Sequence, residues 1–163
     1  MKYINMNSIL FHKLKHFLAL PWEKKQLLIE ALIYLAYARI YKQLPFSKVS
    51  HLLGKHMKET EQTQDLHREN PIQQISEAVH HMSRYTFWES ECLVKAVACM
   101  KMLERRGIES TLYLGTARDD YGEFVAHAWL RSGTFFLSGA HEKDKFTIVS
   151  MFACIPKKEK ERW

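Results

Sequence analysis

Two residues of this chain have the types and the settings that thiol chemistry needs, Cys92 and His127. Trp88 to Glu91 is polar and turn-like, and Ser90 is the expected N-cap of a helix. From Cys92 onward apolar residues recur at helical spacing, through Val94, Ala96, Val97, Cys99, Met100 and Leu103. The basic pair Arg105-Arg106 and then Gly107 should close that helix. Cys92 would therefore lie in the first turn, where unpaired backbone N–H groups favour a thiolate. The same N–H groups can receive the oxyanion that forms when a thiolate attacks a carbonyl. Cys99, mid-helix, and Cys154, after an apolar run, read instead as small buried residues.

The histidine sits in an alternating strand. Glu123 to Arg131 places Phe124, Ala126, Ala128 and Leu130 on one face, and Val125, His127 and Trp129 on the other. Small alanines flank His127 and leave room around the imidazole. Gly133 and the run Thr134 to Leu137 complete a short hairpin. Each residue alone reads as structural. Together, a cysteine at a helix start followed by a histidine on a strand is the order used by papain-like and transglutaminase-like thiol enzymes.

The segments Trp88-x-x-x-Cys92-Leu93, Met102-Leu103-x-Arg105-Arg106-Gly107-Ile108, Leu112-x-Leu114-Gly115 and Ala126-His127-Ala128-Trp129 resemble the transglutaminase-like leader peptidases of lasso-peptide biosynthesis. Leu27-Leu28-x-Glu30-Ala31 to Leu44-Pro45-Phe46 is similar to that family's N-terminal region, so the resemblance runs from about Phe17 to Phe152. It implies a cysteine peptidase that cuts the leader from a ribosomally made precursor, with Cys92 as nucleophile and His127 as base. It also implies two partners, a separate small protein that delivers the leader and an ATP-dependent cyclase that takes the core peptide. Trp88 would be a wall of the site or an indole donor to the oxyanion. Two other readings stay open: acyl transfer to an amine by the same pair, and a non-catalytic scaffold of the same fold.

The chain departs from the family at one point. The family often carries an aspartate about a dozen residues after the histidine, where it fixes the tautomer and angle of the base. Here that stretch reads Phe136-Leu137-Ser138-Gly139-Ala140 and holds no acid. Glu142 and Asp144 follow, and Asp144 is the acid taken as a third member if the loop folds back. A bare Cys-His dyad and a backbone carbonyl as orienter are the alternatives, and the dyad is preferred.

The elements that must position these residues give an α+β chain, a helical N-terminal half followed by a transglutaminase-like or papain-like helix plus antiparallel sheet. The expected division is a helical region over residues 1–70, which docks partner and leader, and a catalytic domain over residues 71–163. Pro21-Trp22-Glu23 opens a long helix that is apolar nearly all round and ends before Pro45. A membrane span needs roughly 20 apolar residues, and Glu30 and Arg39 interrupt this run. A buried helix is expected, with weak membrane-surface contact as a lesser reading, given Lys13, Lys15, Lys24 and Lys25 nearby. Ser47 should cap a short helix up to Leu53. Lys55 to Asn70 is strongly polar and reads as a linker or mobile loop. Pro71 should start a helix through Met82 that lies beside the Cys92 helix. Strands are expected at Thr111–Thr116, Glu123–Arg131, Thr134–Leu137 and Phe146–Ala153.

At 163 residues and 47% hydrophobic, the chain can bury one ordinary core. Three cysteines without regular spacing argue against a disulfide framework. His80-His81 are adjacent and cannot share a helix face, so neither a metal nor a cofactor is expected. Met1 to Asn7 is polar and the apolar Ile9-Leu10-Phe11 is cut short by His12 and Lys13, so no signal peptide is read and a reducing cytoplasm is expected. The net charge of +6 is uneven. Residues 1–85 hold 12 basic and 7 acidic side chains, whereas residues 86–163 hold 12 and 11. A basic half suits an acidic leader, the partner that bears it, or a membrane surface. No basic stripe interleaves with aromatics as nucleic-acid binding would require.

Overall fold

The computed structural model describes residue 15, residues 17–63 and residues 66–156. Helix α1 spans Trp22–Gln43. It stops at Leu44, which is extended (φ −82°, ψ 150°) because the ring of Pro45 disfavours the helical conformation in the residue before it. Helix α2, Phe46–Val49, follows with Pro45 rather than Ser47 at its N-cap, and a tighter turn, Ser50–Leu52, completes it. After the two-residue strand β1, Lys55–His56, come helices α3, Leu66–Ser83, and α4, Cys92–Glu104. Strands β2 (Ser110–Arg118), β3 (Phe124–Ser132), β4 (Phe135–Ser138) and β5 (Thr147–Cys154) finish the chain. A short helical turn, Ala140–Lys145, joins the last two.

The five strands form one antiparallel sheet in the order β1-β5-β2-β3-β4. The expected α+β architecture is the observed one, with strand limits within two residues of the alternation pattern. The helices cover one face of the sheet. Ala31, Leu35 and Ala38 of α1, Ile75 and Val79 of α3, and Val94, Val97 and Met100 of α4 bury against Leu112, Ala128, Leu130 and Phe152. Among the described residues, no helix is long and apolar enough to cross a membrane.

Two local expectations are corrected. Helix α3 begins at Leu66, so Pro71 lies inside it instead of starting it. As the sixth residue it lies beyond the first four N–H groups that lack an intrahelical acceptor, so the helix forgoes one internal hydrogen bond there. The stretch read as loose, 55 to 63, is strapped across the other face of the sheet. Met57 N–H donates to the Met151 carbonyl (2.8 Å), and Thr60 N–H donates to Thr111 Oγ1 (2.9 Å). Arg131, only 3% exposed, holds the strap from below: its Nη2 donates to the Thr60 carbonyl (3.0 Å), its Nη1 to the Gly133 carbonyl (2.6 Å) and its Nε to Tyr113 Oη (2.9 Å). The polar side chains of this stretch hid an ordering that runs through its backbone.

Candidate active site

Cys92 is the first residue of α4 and is half-buried. The N-cap is Glu91, extended (φ −71°, ψ −178°), and it makes no side-chain cap bond. Ser90, the expected cap, is bound instead to Thr86 through their hydroxyls (2.9 Å). The amides of the first turn of α4 therefore lack a side-chain acceptor, and an anion or an oxyanion beside Cys92 would find donors there. Glu91 is turned outward to Lys42 of α1. That hydrogen bond and charge hold its carboxyl below the usual range. Cys99 and Cys154 are buried, and desolvation pushes their thiols up to about 12 and about 11. Among the three cysteines, Cys92 alone is not fully buried.

His127 lies on β3, opposite Gly115 of β2. Its Nε2 is 2.9 Å from the carbonyl oxygen of Gly139. A carbonyl only accepts, so Nε2 carries the proton and Nδ1 is the bare, basic nitrogen of the neutral ring. The ring stacks on Phe146 (centroids 4.9 Å apart, planes 28° apart) and on Trp129 (5.9 Å, 26°). Trp129 in turn stacks on Tyr113 at 5.6 Å. Gly115 is what lets Trp129 lie there: a Cβ at that position would fall 2.8 Å from the indole ring and 2.9 Å from Phe146 Cβ. One hydrogen bond and two ring contacts thus set the angle of the imidazole.

The chain's own spacing puts thiol and ring at one end of the sheet. Helix α4 turns back sharply after Glu104, with Ile108 N–H bonded to the Leu103 carbonyl, and β2 begins at Ser110. Going back from Leu103 to Cys92 climbs about 16 Å of helix. Going forward from Ser110 to Gly115, the partner of His127, climbs about 17 Å of strand. Cys92 and the strand position of His127 thus lie a similar rise from the turn at Gly107, but the two side chains share no hydrogen bond. Alternation along β3 points Ala128 and Leu130 into the helical core, and the His127 ring stands on the side of Trp129.

A family model of the transglutaminase-like superfamily matches residues 32–151, which takes in the second half of α1, Cys92, His127 and most of β5. The chain belongs to the transglutaminase-like superfamily. That superfamily includes cysteine peptidases and acyltransferases, and its enzymes typically depend on a cysteine. No curated protein and no solved structure gives a significant match.

Of the remaining residues, Trp88 is half-buried and packs on the core, edge-on to Phe87 (4.6 Å). Its Nε1–H is buried without a hydrogen-bond partner, so it is a donor with nothing yet to donate to. Asp144 is not beside the imidazole. Its side chain is 88% exposed and it pairs with Lys143 at 2.6 Å. Glu142 lies within reach of Lys145 (3.6 Å). The place at the proton-bearing nitrogen of His127 is taken by the main chain at Gly139, a position whose carbonyl no side-chain motif could announce. Its residue type was the available signal: Gly139 is left-handed (φ 71°, ψ 7°), and such a bend turns a carbonyl where an ordinary residue would not.

Proposed function

We propose that this member of the transglutaminase-like superfamily is a cysteine peptidase that removes the leader from a lasso-peptide precursor, with Cys92 as nucleophile and His127 as base. The observation that supports the catalytic reading is the bond from His127 Nε2 to the Gly139 carbonyl, which leaves Nδ1 bare, together with the place of Cys92 at the uncapped start of α4. The leader-peptidase reading rests on the similarity of the segments around Cys92, Arg105-Arg106-Gly107 and His127 to that family.

In this reading Nδ1 takes the proton from Cys92 Sγ, and the thiolate attacks the scissile carbonyl to give a tetrahedral oxyanion. Uncapped amides at the start of α4 and the unpaired indole N–H of Trp88 receive that charge. The Nδ1 proton goes to the leaving amine, and the acyl group remains on Sγ as a thioester. That amine is the N-terminus of the core peptide, which leaves at this step; water, deprotonated by the same nitrogen, then releases the leader as its C-terminal acid and restores the thiol. The His127 ring stands on the side of Trp129 and Cys92 on the side of the helical core, so this reading requires the start of α4 or the ring to move on substrate binding. A small leader-binding protein delivers the leader, and an ATP-dependent cyclase consumes the product.

The test mixes precursor, leader-binding partner and this protein, with Cys92→Ala and His127→Ala in parallel, and follows cleavage by mass spectrometry. Cleavage by wild type alone supports the assignment, and undiminished cleavage by Cys92→Ala refutes it. Adding a primary amine separates the second reading that the superfamily allows: an amine-capped product in place of the acid would make the protein an acyl transferase.

A further inference from the structure

Helix α1 is apolar on two opposite sides, and the fold uses only one. Ala31, Leu35, Ala38 and Tyr41 are buried against α3 and α4. On the far side Trp22, Ile29, Ile33, Tyr37 and Ile40 follow one another at spacings of 7, 4, 4 and 3, which keeps them on one stripe. They are 40 to 68% exposed. A stripe of this kind along a helix of 22 residues is a ridge about 33 Å long. Scattered exposed apolar residues need no explanation, but a contiguous stripe marks an interaction surface.

The charges beside the ridge indicate what it meets. Lys25 and Arg39 lie along one flank. Along the other, Glu30 is matched by two cations, Arg106 at 2.6 Å and Arg105 at 3.7 Å. Lys24 and Lys48 lie on or just beyond the helix, Lys42 is paired with Glu91, and Glu23 is the one further acid between Trp22 and Lys48. A second copy of the chain would bring two basic flanks face to face, which costs energy. An apolar ridge with interfacial Trp and Tyr, basic margins and a convex outline suits a fluid anionic surface that needs no complementary groove.

We infer that the outer face of α1 docks the protein on an anionic lipid bilayer, with the ridge in the headgroup region and the basic flanks against lipid phosphates. The docking does not depend on the chemistry of Cys92. It has a consequence for the site all the same, because the ion pair of Lys42 with Glu91 ties the far end of the ridge to the residue preceding Cys92.

The experiment is co-sedimentation of the full-length protein with phosphatidylcholine vesicles, with and without phosphatidylglycerol, at low and high salt. The expected result is binding to the anionic vesicles, weakened at high salt, and at least about tenfold weaker for the Ile33→Glu, Ile40→Glu double variant. Both positions face solvent, at 61% and 63% exposure, so the variant should keep its fold, which circular dichroism checks. Retention by anionic and neutral vesicles alike, equal binding by a folded variant, or no binding to anionic vesicles at low salt would overturn the inference. So would light scattering that shows a wild-type dimer and a monomeric variant, since the ridge would then be covered by a second copy. If the double variant is unfolded, Ile33→Gln with Ile40→Gln replaces it, with the same two outcomes.

Discussion

An acid placed where the family often carries one should harm this protein. Gly139→Asp sets a carboxylate twelve positions after His127, next to the imidazole. The backbone there will not accept it. Gly139 is left-handed at φ 71°, which costs an ordinary residue about 1–2 kcal/mol. A Cβ on that backbone would fall 2.4 Å from the Ala128 carbonyl oxygen, 3.0 Å from His127 Nε2 and 3.0 Å from Trp129 Cβ. The first contact is with main chain of a central strand, so the loop must move and not the strand. Movement of the loop breaks the bond from His127 to the Gly139 carbonyl, a further loss of about 1 kcal/mol. The total is about 2–3 kcal/mol, which for a chain of this length lowers the melting temperature by about 5–10 °C. The chemical loss should be larger than the structural one. An imidazole displaced by about 1 Å costs on the order of a hundredfold in rate. Gly139→Ala makes the same clash without the charge, so the two variants should lose activity to a similar degree. Leader cleavage and the alkylation rate of Cys92, read beside thermal melts, give both numbers. A Gly139→Asp protein that melts with wild type and cleaves at least as fast would show that the carbonyl has no orienting role.

Iodoacetamide near neutral pH should label native Cys92 and leave Cys99 and Cys154 intact, because burial holds their thiols up at about 12 and about 11; all three should react in denaturant, as peptide mapping would show. Arg131→Met should cost about 3–5 kcal/mol, since the carbonyls of Thr60 and Gly133 and the hydroxyl of Tyr113 lose their donor, and hydrogen exchange should quicken first at Met57 and Thr60. Stability should decline as pH rises from about 9 toward 12. Over that range the unfolded chain releases the protons of Cys99 and Tyr41, and the folded chain keeps them, because burial raises the thiol to about 12 and the phenol to about 12. Chemical denaturation across that range checks the slope, and Tyr41→Phe should flatten it above pH 10.

Much of this architecture was legible because it follows from side-chain periodicity. Alternation from Phe124 to Ser132 and the helical recurrence from Cys92 to Leu103 are amphipathic patterns that the core later uses face for face. What escaped depends on main-chain groups. Ser90 is a good cap by type, yet its hydroxyl found Thr86 and left Glu91 at the helix entry without a cap bond. The polar run from Lys55 carries little to bury, and its order comes from carbonyls taken by a buried arginine on a strand 71 residues away. A backbone carbonyl stood among the expected orienters beside Asp144 and Glu142, but side-chain patterns do not tell which carbonyl, and it is that of Gly139.

That anchorage has an evolutionary corollary. A carboxylate partner can be erased by one codon change, but an amide oxygen is common to every residue type. Drift in side chains along the segment from Phe136 to Lys145, Gly139 excepted, would leave the imidazole's tether intact as long as the loop keeps its bend and its length. Vulnerability shifts from spelling to counting: one residue inserted or deleted between the hairpin and Gly139 would swing the oxygen out of reach, whatever its identity.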